Sequence, residues 1–311
     1  MEDFSSLSNI VSSRYCFLNF KHITWDSVVQ AYQPIVAAAK GDEIYPVFDR
    51  LLATLKDGHV DIFTKGGDQI LTYDWPRDID VHAYSALVVR KYFQSDLLLA
   101  GDDNMEYGIL PGNIGYCYVS TFSEGNWAYA IDIVLNYLKH TDGLIVDVRN
   151  NPGGSGTTVN ILVSRFASAS ISYSLYLPNG TPVLPNTIQP AGENPFRGPV
   201  MVLINGASFS AAEMFAELME RVPNVTTLGD TTGGGGGSTA KFTLPSGIGI
   251  QIPVEYFTRA NGDLVEWNGV PPDIYVRQTA ADIAQGRDMQ LENAMQRLGS
   301  SMKKAAYTAS K

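Results

Sequence analysis

The chain has 311 residues, 45% hydrophobic and 17% charged, so it can bury a core, is long enough for roughly two domains, and is not a disordered polymer. A net charge of −10 and a pI near 4.8 leave no basic face for nucleic acid or an anionic membrane. Two cysteines, Cys16 and Cys117, cannot build a disulfide framework or a zinc site, and neither sits in a catalytic motif.

No apolar run approaches the roughly 18 residues needed to span a bilayer, so membrane insertion is not expected. The N-terminus, MEDFSSLSN, is acidic and polar, unlike a signal peptide. The expected compartment is the cytoplasm, or the periplasm or cell envelope if a signal has been removed. The one basic run is Lys303-Lys304 with Lys311, too short to matter.

Residues 1 to about 57 read as helical. In WDSVVQAYQPIVAAA the apolar residues Trp25, Val28, Val29, Tyr32, Ile35 and Val36 recur at helical spacing. Thr24 is a candidate cap, and Pro34 predicts a kink or break. DEIYPVFDRLLATLK places Ile44, Val47, Phe48, Leu51, Leu52 and Leu55 on one face, with Pro46 in or near its first turn, where proline is tolerated. Asp57-Gly58 reads as a helix stop and turn. From about 60 to 110 the pattern is irregular, and HVDIF and ALVVRKYF read as strands.

From about 112 strand-like and helix-like runs alternate. IGYCYVSTF, GLIVDVR, GPVMVLIN and VTTLGD read as strands. NWAYAIDIVLNYLK, TTVNILVSRFA and the segment after Ser210 read as helices. This rhythm predicts an α/β core with substantially parallel strands. IGIQIPVEYF alternates cleanly, Ala260-Asn261-Gly262-Asp263 is a hairpin turn, and DMQLENAMQRLGS is a closing helix. The expected organisation is an N-terminal helical domain over 1–58, a connecting region over 59–111, the α/β core over 112–285, and a closing helix and tail over 286–311.

Four stretches carry candidate chemistry. Ser210 opens an amphipathic helix. With Glu213 three residues on it fits a capping box, and the local window favours a plain cap. Its place just after a buried strand also suits a nucleophile, because the helix start offers N–H groups and a positive dipole end to an oxyanion. No GxSxG is present. Asn150-Asn151-Pro152-Gly153-Gly154-Ser155-Gly156 follows a buried strand; it is either a tight turn or a cradle of backbone donors. His59 follows Asp57-Gly58, as a surface turn residue or as a histidine held by a stiff turn. Glu266 precedes the loop Asn268-Gly269-Val270-Pro271-Pro272, where a lone glutamate is usually solvated.

The ordered set DGHV, IGYCYVSTF, LIVDVRNNPGG, PVMVLINGASFSAAE, LGDTTGGG and NGVPPDIYV, across about residues 50 to 276, resembles the C-terminal processing and tricorn-core serine peptidases. The resemblance implies a crotonase-like (Clp-like) β-β-α core behind an N-terminal helical domain. It implies Ser210 as nucleophile, His59 as general base, and Glu266 as orienting carboxylate with Asp263 as the alternative. The implied oxyanion donors are Ala211 N–H and one from Gly153 or Gly154. The family's lysine in a glycine-rich loop is replaced by Gly235, so a Ser–Lys dyad is absent, and Lys241 lies six residues beyond. The tricorn-like Ser–His–Glu arrangement fits instead, although the serine beside its histidine is here Gly58. The interval from His59 to Ile114 is too short for the PDZ domain of many members. This favours a short peptide or an unfolded protein as substrate over recognition of C-terminal tails. No cofactor or metal is implied, and a homo-oligomer is neither required nor excluded.

Two other readings stand beside the peptidase. One is a catalytically degenerate relative that binds a hydrophobic ligand or peptide without cleavage. The other is a phosphate-binding protein using Gly233 to Gly237, but the P-loop lysine is missing. The glycine run is expected to be a mobile loop.

Overall fold

Two separate sets of apolar side chains draw the chain into two units. A computed structural model describes residues 1–71, 81–183 and 185–309, with backbone only at 71, at 81 and from 301 on. The first unit comprises Met1–Pro76, Ser174–Pro185 and Gly235–Thr258; the second comprises Arg77–Tyr173, Asn186–Gly234 and Arg259–Lys311. Residues 72–80 of the expected connecting region, and Lys311 of the basic tail, lie outside the described residues.

The first unit packs the helices Glu2–Arg14, Trp25–Ala38 and Ile44–Ala53 with an antiparallel sheet. The sheet runs Gly237–Thr243, Gly249–Phe257, Asp61–Phe63, Gln69–Leu71, and Leu175–Tyr176 pairs the edge of Gly249–Phe257. Alternation along a strand sends every second residue to one face. Ile248, Ile250 and Ile252 are buried with Ile62, and they meet Leu7, Val11, Phe48, Leu51, Leu52 and Leu55 of the helices. Each such side chain contributes about 1.5–3 kcal/mol on full burial. Because Ile62 registers with Ile250, segment 235–258 belongs with the N-terminal helices rather than with the core expected over 112–285.

Pro34 sits inside the helix Trp25–Ala38 without ending it. Its missing N–H removes one intrahelical bond, but Trp25 and Val36, on either side of it, are both buried. Packing of that face outweighs the local loss.

The second unit is built on a seven-stranded sheet ordered Ile274–Tyr275, Val225–Gly229, Val200–Ile204, Gly143–Asp147, Ile114–Val119, Met105–Leu110, Leu98–Ala100. The first five are parallel and the last two antiparallel. Every residue of Gly143–Asp147 and Val200–Ile204 is buried, which explains their continuous apolar runs: such strands are covered on both faces. One face carries Ile145 and Leu203 against Leu291, Ala294 and Leu298 of the helix Met289–Ala309. The helix Ala211–Glu220 packs on Val200–Ile204 and Val225–Gly229. The helix Trp127–Leu138 buries Ala130, Ile131, Val134, Leu135 and Leu138, as its periodicity predicts.

ALVVRKYF departs from its reading as a strand. Ala86–Arg90 is a short helix behind Ser85, with Val88 and Val89 buried. Two adjacent β-branched residues suit a strand by propensity, but propensity is a weak prior that packing overrides.

Candidate active site

The strand Val200–Ile204 ends in a turn that presents Ser210. Asn205 ties this turn to the end of the neighbouring strand: its Oδ1 accepts Asn150 N–H at 3.0 Å, and its Nδ2 donates to Asn150 Oδ1 at 2.7 Å. Ser208 Oγ donates to Val148 O at 2.8 Å, and Phe209 N–H donates to Asn151 O at 2.9 Å. These bonds cross-link the two loops that leave adjacent parallel strands, the usual place for a ligand crevice in such sheets.

Ser210 has φ 57° and ψ −118°, a region that non-glycine residues occupy only when their surroundings over-determine it. An ordinary N-cap residue is extended. Ser210 and Glu213 stand as a reciprocal capping box across the first turn, and in its Glu213 arm the carboxylate accepts Ser210 N–H at 2.9 Å. So Ser210 occupies the cap position of Ala211–Glu220 in a backbone conformation unlike that of an ordinary cap. This is the strained strand-to-helix geometry of a nucleophile elbow without its sequence signature. Among the described residues, Ala211 N–H has no hydrogen-bond acceptor.

The glycine turn lies directly against this serine. A Cβ at Gly153 (φ 101°) would fall 2.7 Å from both Ser210 Cβ and Phe209 O, and 2.9 Å from Ala211 N. A Cβ at Gly154 (φ 142°) would collide with the Phe122 carbonyl group. Gly153 N–H already donates to Asn151 Oδ1 at 2.8 Å, while Asn151 Nδ2 donates to Val119 O at 2.8 Å. Of the two expected glycine donors, Gly154 is therefore the one whose N–H has no acceptor among the described residues.

Glu213 is fully buried and does more than close a capping box. Its Oε1 accepts the Thr232 hydroxyl and Gly234 N–H, each at 2.6 Å. Thr232 Oγ1 in turn accepts Val270 N–H at 2.7 Å. The glycine run is buried from Gly233 to Gly237 and hydrogen-bonded, with Gly233 N–H on Ser208 O and Trp267 N–H on Gly234 O. In place of the expected mobile loop, it is a buried, hydrogen-bonded connection.

Glu266 is 1% exposed, held in a turn where Asn268 and Gly269 N–H both donate to Val265 O. Asp263 has a side chain 65% exposed and accepts from Asn261 Nδ2 in its own hairpin turn at 2.7 Å. The two candidate carboxylates thus differ sharply: one is interior and the other is solvated.

His59 belongs to the first unit, where it is buried. Its backbone N–H donates to Asp57 Oδ1 at 2.9 Å, and its carbonyl accepts Gln251 Nε2 at 3.3 Å. Burial pushes the imidazole below its ordinary value, Asp57 pulls it up, and Lys21 pushes it down again. The stiff turn expected at Asp57-Gly58 is present, but Asp57 is also a buried carboxylate paired with Lys21 at 2.9 Å. No sequence signal links residues 36 positions apart. The bonds that Asn151, Asn205 and Ser208 make between segments leave no signal in the motifs that contain them, for the same reason. Lys241 stands over the Phe63 ring at 4.4 Å within the first unit's sheet.

The model of Peptidase family S41 matches residues 113–276, more than half of the chain. A solved structure of a candidate peptidase from Parabacteroides merdae superposes with a TM-score of 0.82 at 32% identity, covering 96% of each chain. Tricorn protease homolog 1 of Streptomyces coelicolor is 30% identical over 59% of this chain and 16% of its own length. The carboxyl-terminal-processing protease of Synechocystis sp. is 29% identical over 60% of this chain and 44% of its own length. The chain thus spans less than half the length of these two curated relatives.

Proposed function

The chain belongs to peptidase family S41, and from that premise we propose that it is a serine endopeptidase with Ser210 as nucleophile and His59 as general base. The observation that carries the reading is Ser210 itself: a non-glycine residue held at φ 57°, ψ −118° at a helix start, beside an Ala211 N–H that has no acceptor among the described residues.

In this mechanism Ser210 Oγ attacks the scissile carbonyl while His59 removes its proton and returns it to the leaving amine. The tetrahedral oxyanion takes hydrogen bonds from Ala211 N–H and Gly154 N–H, with the positive end of the helix Ala211–Glu220 behind them. Water then deacylates the enzyme by the same route. Glu266 serves as the orienting carboxylate, favoured over Asp263 by its burial. The core is assigned a crotonase-like fold, and the substrate is a short or unfolded peptide.

A fluorophosphonate should label the native chain, and Ser210→Ala should abolish labelling. A folded native chain that stays unlabelled sinks the reading and leaves a binding protein without cleavage. The mechanism also requires the His59 ring to reach the Ser210 hydroxyl. A peptidyl chloromethyl ketone should therefore bridge the two residues in one adduct, found by peptide mass mapping.

A further inference from the structure

Residues distant in sequence converge on Asp57, beside the histidine. Asp57 is 1% exposed. Its Oδ1 accepts the His59 backbone N–H at 2.9 Å and stands 4.0 Å from His59 Nδ1. That separation is too long for a hydrogen bond, yet close enough for a strong through-space effect in a buried setting. Its Oδ2 accepts the Tyr15 hydroxyl at 2.6 Å and Lys21 Nζ at 2.9 Å. Lys21 is fully buried at its side chain. It also donates to Tyr15 Oη at 2.9 Å and to Lys56 O at 3.1 Å, so each ammonium proton has an acceptor.

A buried ion pair adds little net stability over an apolar pair of the same shape. Its placement against the histidine calls for a different role. We propose that Asp57 and Lys21 are positioning residues for His59: Asp57 fixes the histidine turn and faces its Nδ1, and Lys21 offsets the carboxylate charge that the ring would otherwise feel alone. The proposal rests on the reading of His59 as the general base.

The electrostatics of the cluster run the same way. Burial lowers the His59 value most, Asp57 opposes that, and Lys21 offsets Asp57. Burial works against ionised Asp57, but Lys21, then His59 and the Tyr15 hydroxyl, keep it below the usual carboxylate range. Among the described residues of this unit, Asp61, which accepts from Gln251 Nε2 at 3.2 Å, and Lys241, which acts on Asp61, also stand on this side.

The test is an NMR titration of the His59 ring in the full chain, assigned by loss of its signal in His59→Gln. Lys21→Met leaves Asp57 uncancelled, and the midpoint should rise by about one pH unit. Asp57→Asn keeps an Oδ1 acceptor but leaves Lys21 uncancelled, and the midpoint should fall by about as much. The double variant has no net charge in the cluster and should return toward the native midpoint. The acid limb of the kcat/KM profile should follow the same three shifts.

If a single variant does not fold, the double variant and Tyr15→Phe decide the matter. Tyr15→Phe strips one donor from Asp57 and should move the midpoint upward. Midpoints that stay put, or that move in the same direction in both single variants, would overturn the proposal and leave a purely structural ion pair. The titration reads His59 whether or not the chain cleaves peptides, while fluorophosphonate labelling reads Ser210, so the two failures are distinguishable.

Discussion

The Glu213 carboxylate joins two loops: one oxygen accepts Ser210 N–H at 2.9 Å, and the other accepts Thr232 Oγ1 and Gly234 N–H at 2.6 Å each. The unusual backbone of Ser210 is held from a residue one helical turn away, and the same residue anchors the glycine run. Glu213→Gln puts an amide N–H₂ where one of these acceptors stood. A donor then faces a donor in a buried site, at a cost of about 1–3 kcal/mol. The expected outcome is a lower urea midpoint together with about 10-fold or slower fluorophosphonate labelling of Ser210.

Gly153 allows a second, sharper prediction. Gly153→Ala must place a methyl group 2.7 Å from Ser210 Cβ, against backbone that cannot swing aside. Labelling should fall by about 10²-fold or more, the scale seen when an oxyanion donor is displaced. Gly262→Ala is the control. It has φ 90° and nothing within 4 Å of the new Cβ, so it carries only the conformational cost of about 1–2 kcal/mol and should label normally.

Stability should respond to pH through two groups of opposite sign. His59 has its value lowered by burial. Its contribution is present above its unfolded value, about 6.5, and is lost as pH falls toward the folded value, because the unfolded chain takes up a proton that the native ring resists. Glu220 behaves in reverse. Burial, then Glu217 and Asp273, push it up to about 7, so its contribution is present below its ordinary value of 4.5 and is lost as pH rises through about 7. Glu220→Gln should leave stability unchanged at acid pH and raise it above pH 7. Discounting for its partial exposure, the gain should be about 1–2 kcal/mol. Urea midpoints of the native and variant chains across this range give the comparison.

Cys117 should be inert. Burial, with Asp147 adding to it, pushes its thiol up to about 12, and the side chain is 1% exposed. Thiolate is the reactive form, so iodoacetamide should leave Cys117 unmodified in the native chain and leave serine labelling intact. Mass spectrometry before and after unfolding provides the check.

Much of the second unit could be read from periodicity. Gly143–Asp147 and Val200–Ile204 are apolar runs bounded by turn residues, and Trp127–Leu138 shows its buried stripe directly. Ser210 and its glycine neighbours stand out as candidates because motif order carries information beyond each window. The helix at Ala86–Arg90 was misread because five residues offer too short a window to separate a period of 3.6 from one of 2. The buried roles of Lys21, Asp57, Asn151 and Asn205 could not be read for another reason. Their partners lie in distant segments, and a buried hydrogen bond leaves no periodic trace. Glu266 and Asp263 are chemically alike and three residues apart, so only burial separates them.

The strand Asp61–Phe63 beside His59 pairs on one side with Gly249–Phe257, and Gln251, which holds the His59 carbonyl, lies 192 residues downstream of it. On a ribosome, the histidine is made early, yet its sheet stays unfinished until the serine-bearing helix and the hairpin after it have emerged. Such long-range pairing is slow to form. A nascent or truncated chain ending before Gly249 carries both His59 and Ser210 but lacks the strand that frames the histidine. Under the proposed mechanism, proteolytic competence is therefore a late event in folding, and an incomplete chain is a safe one.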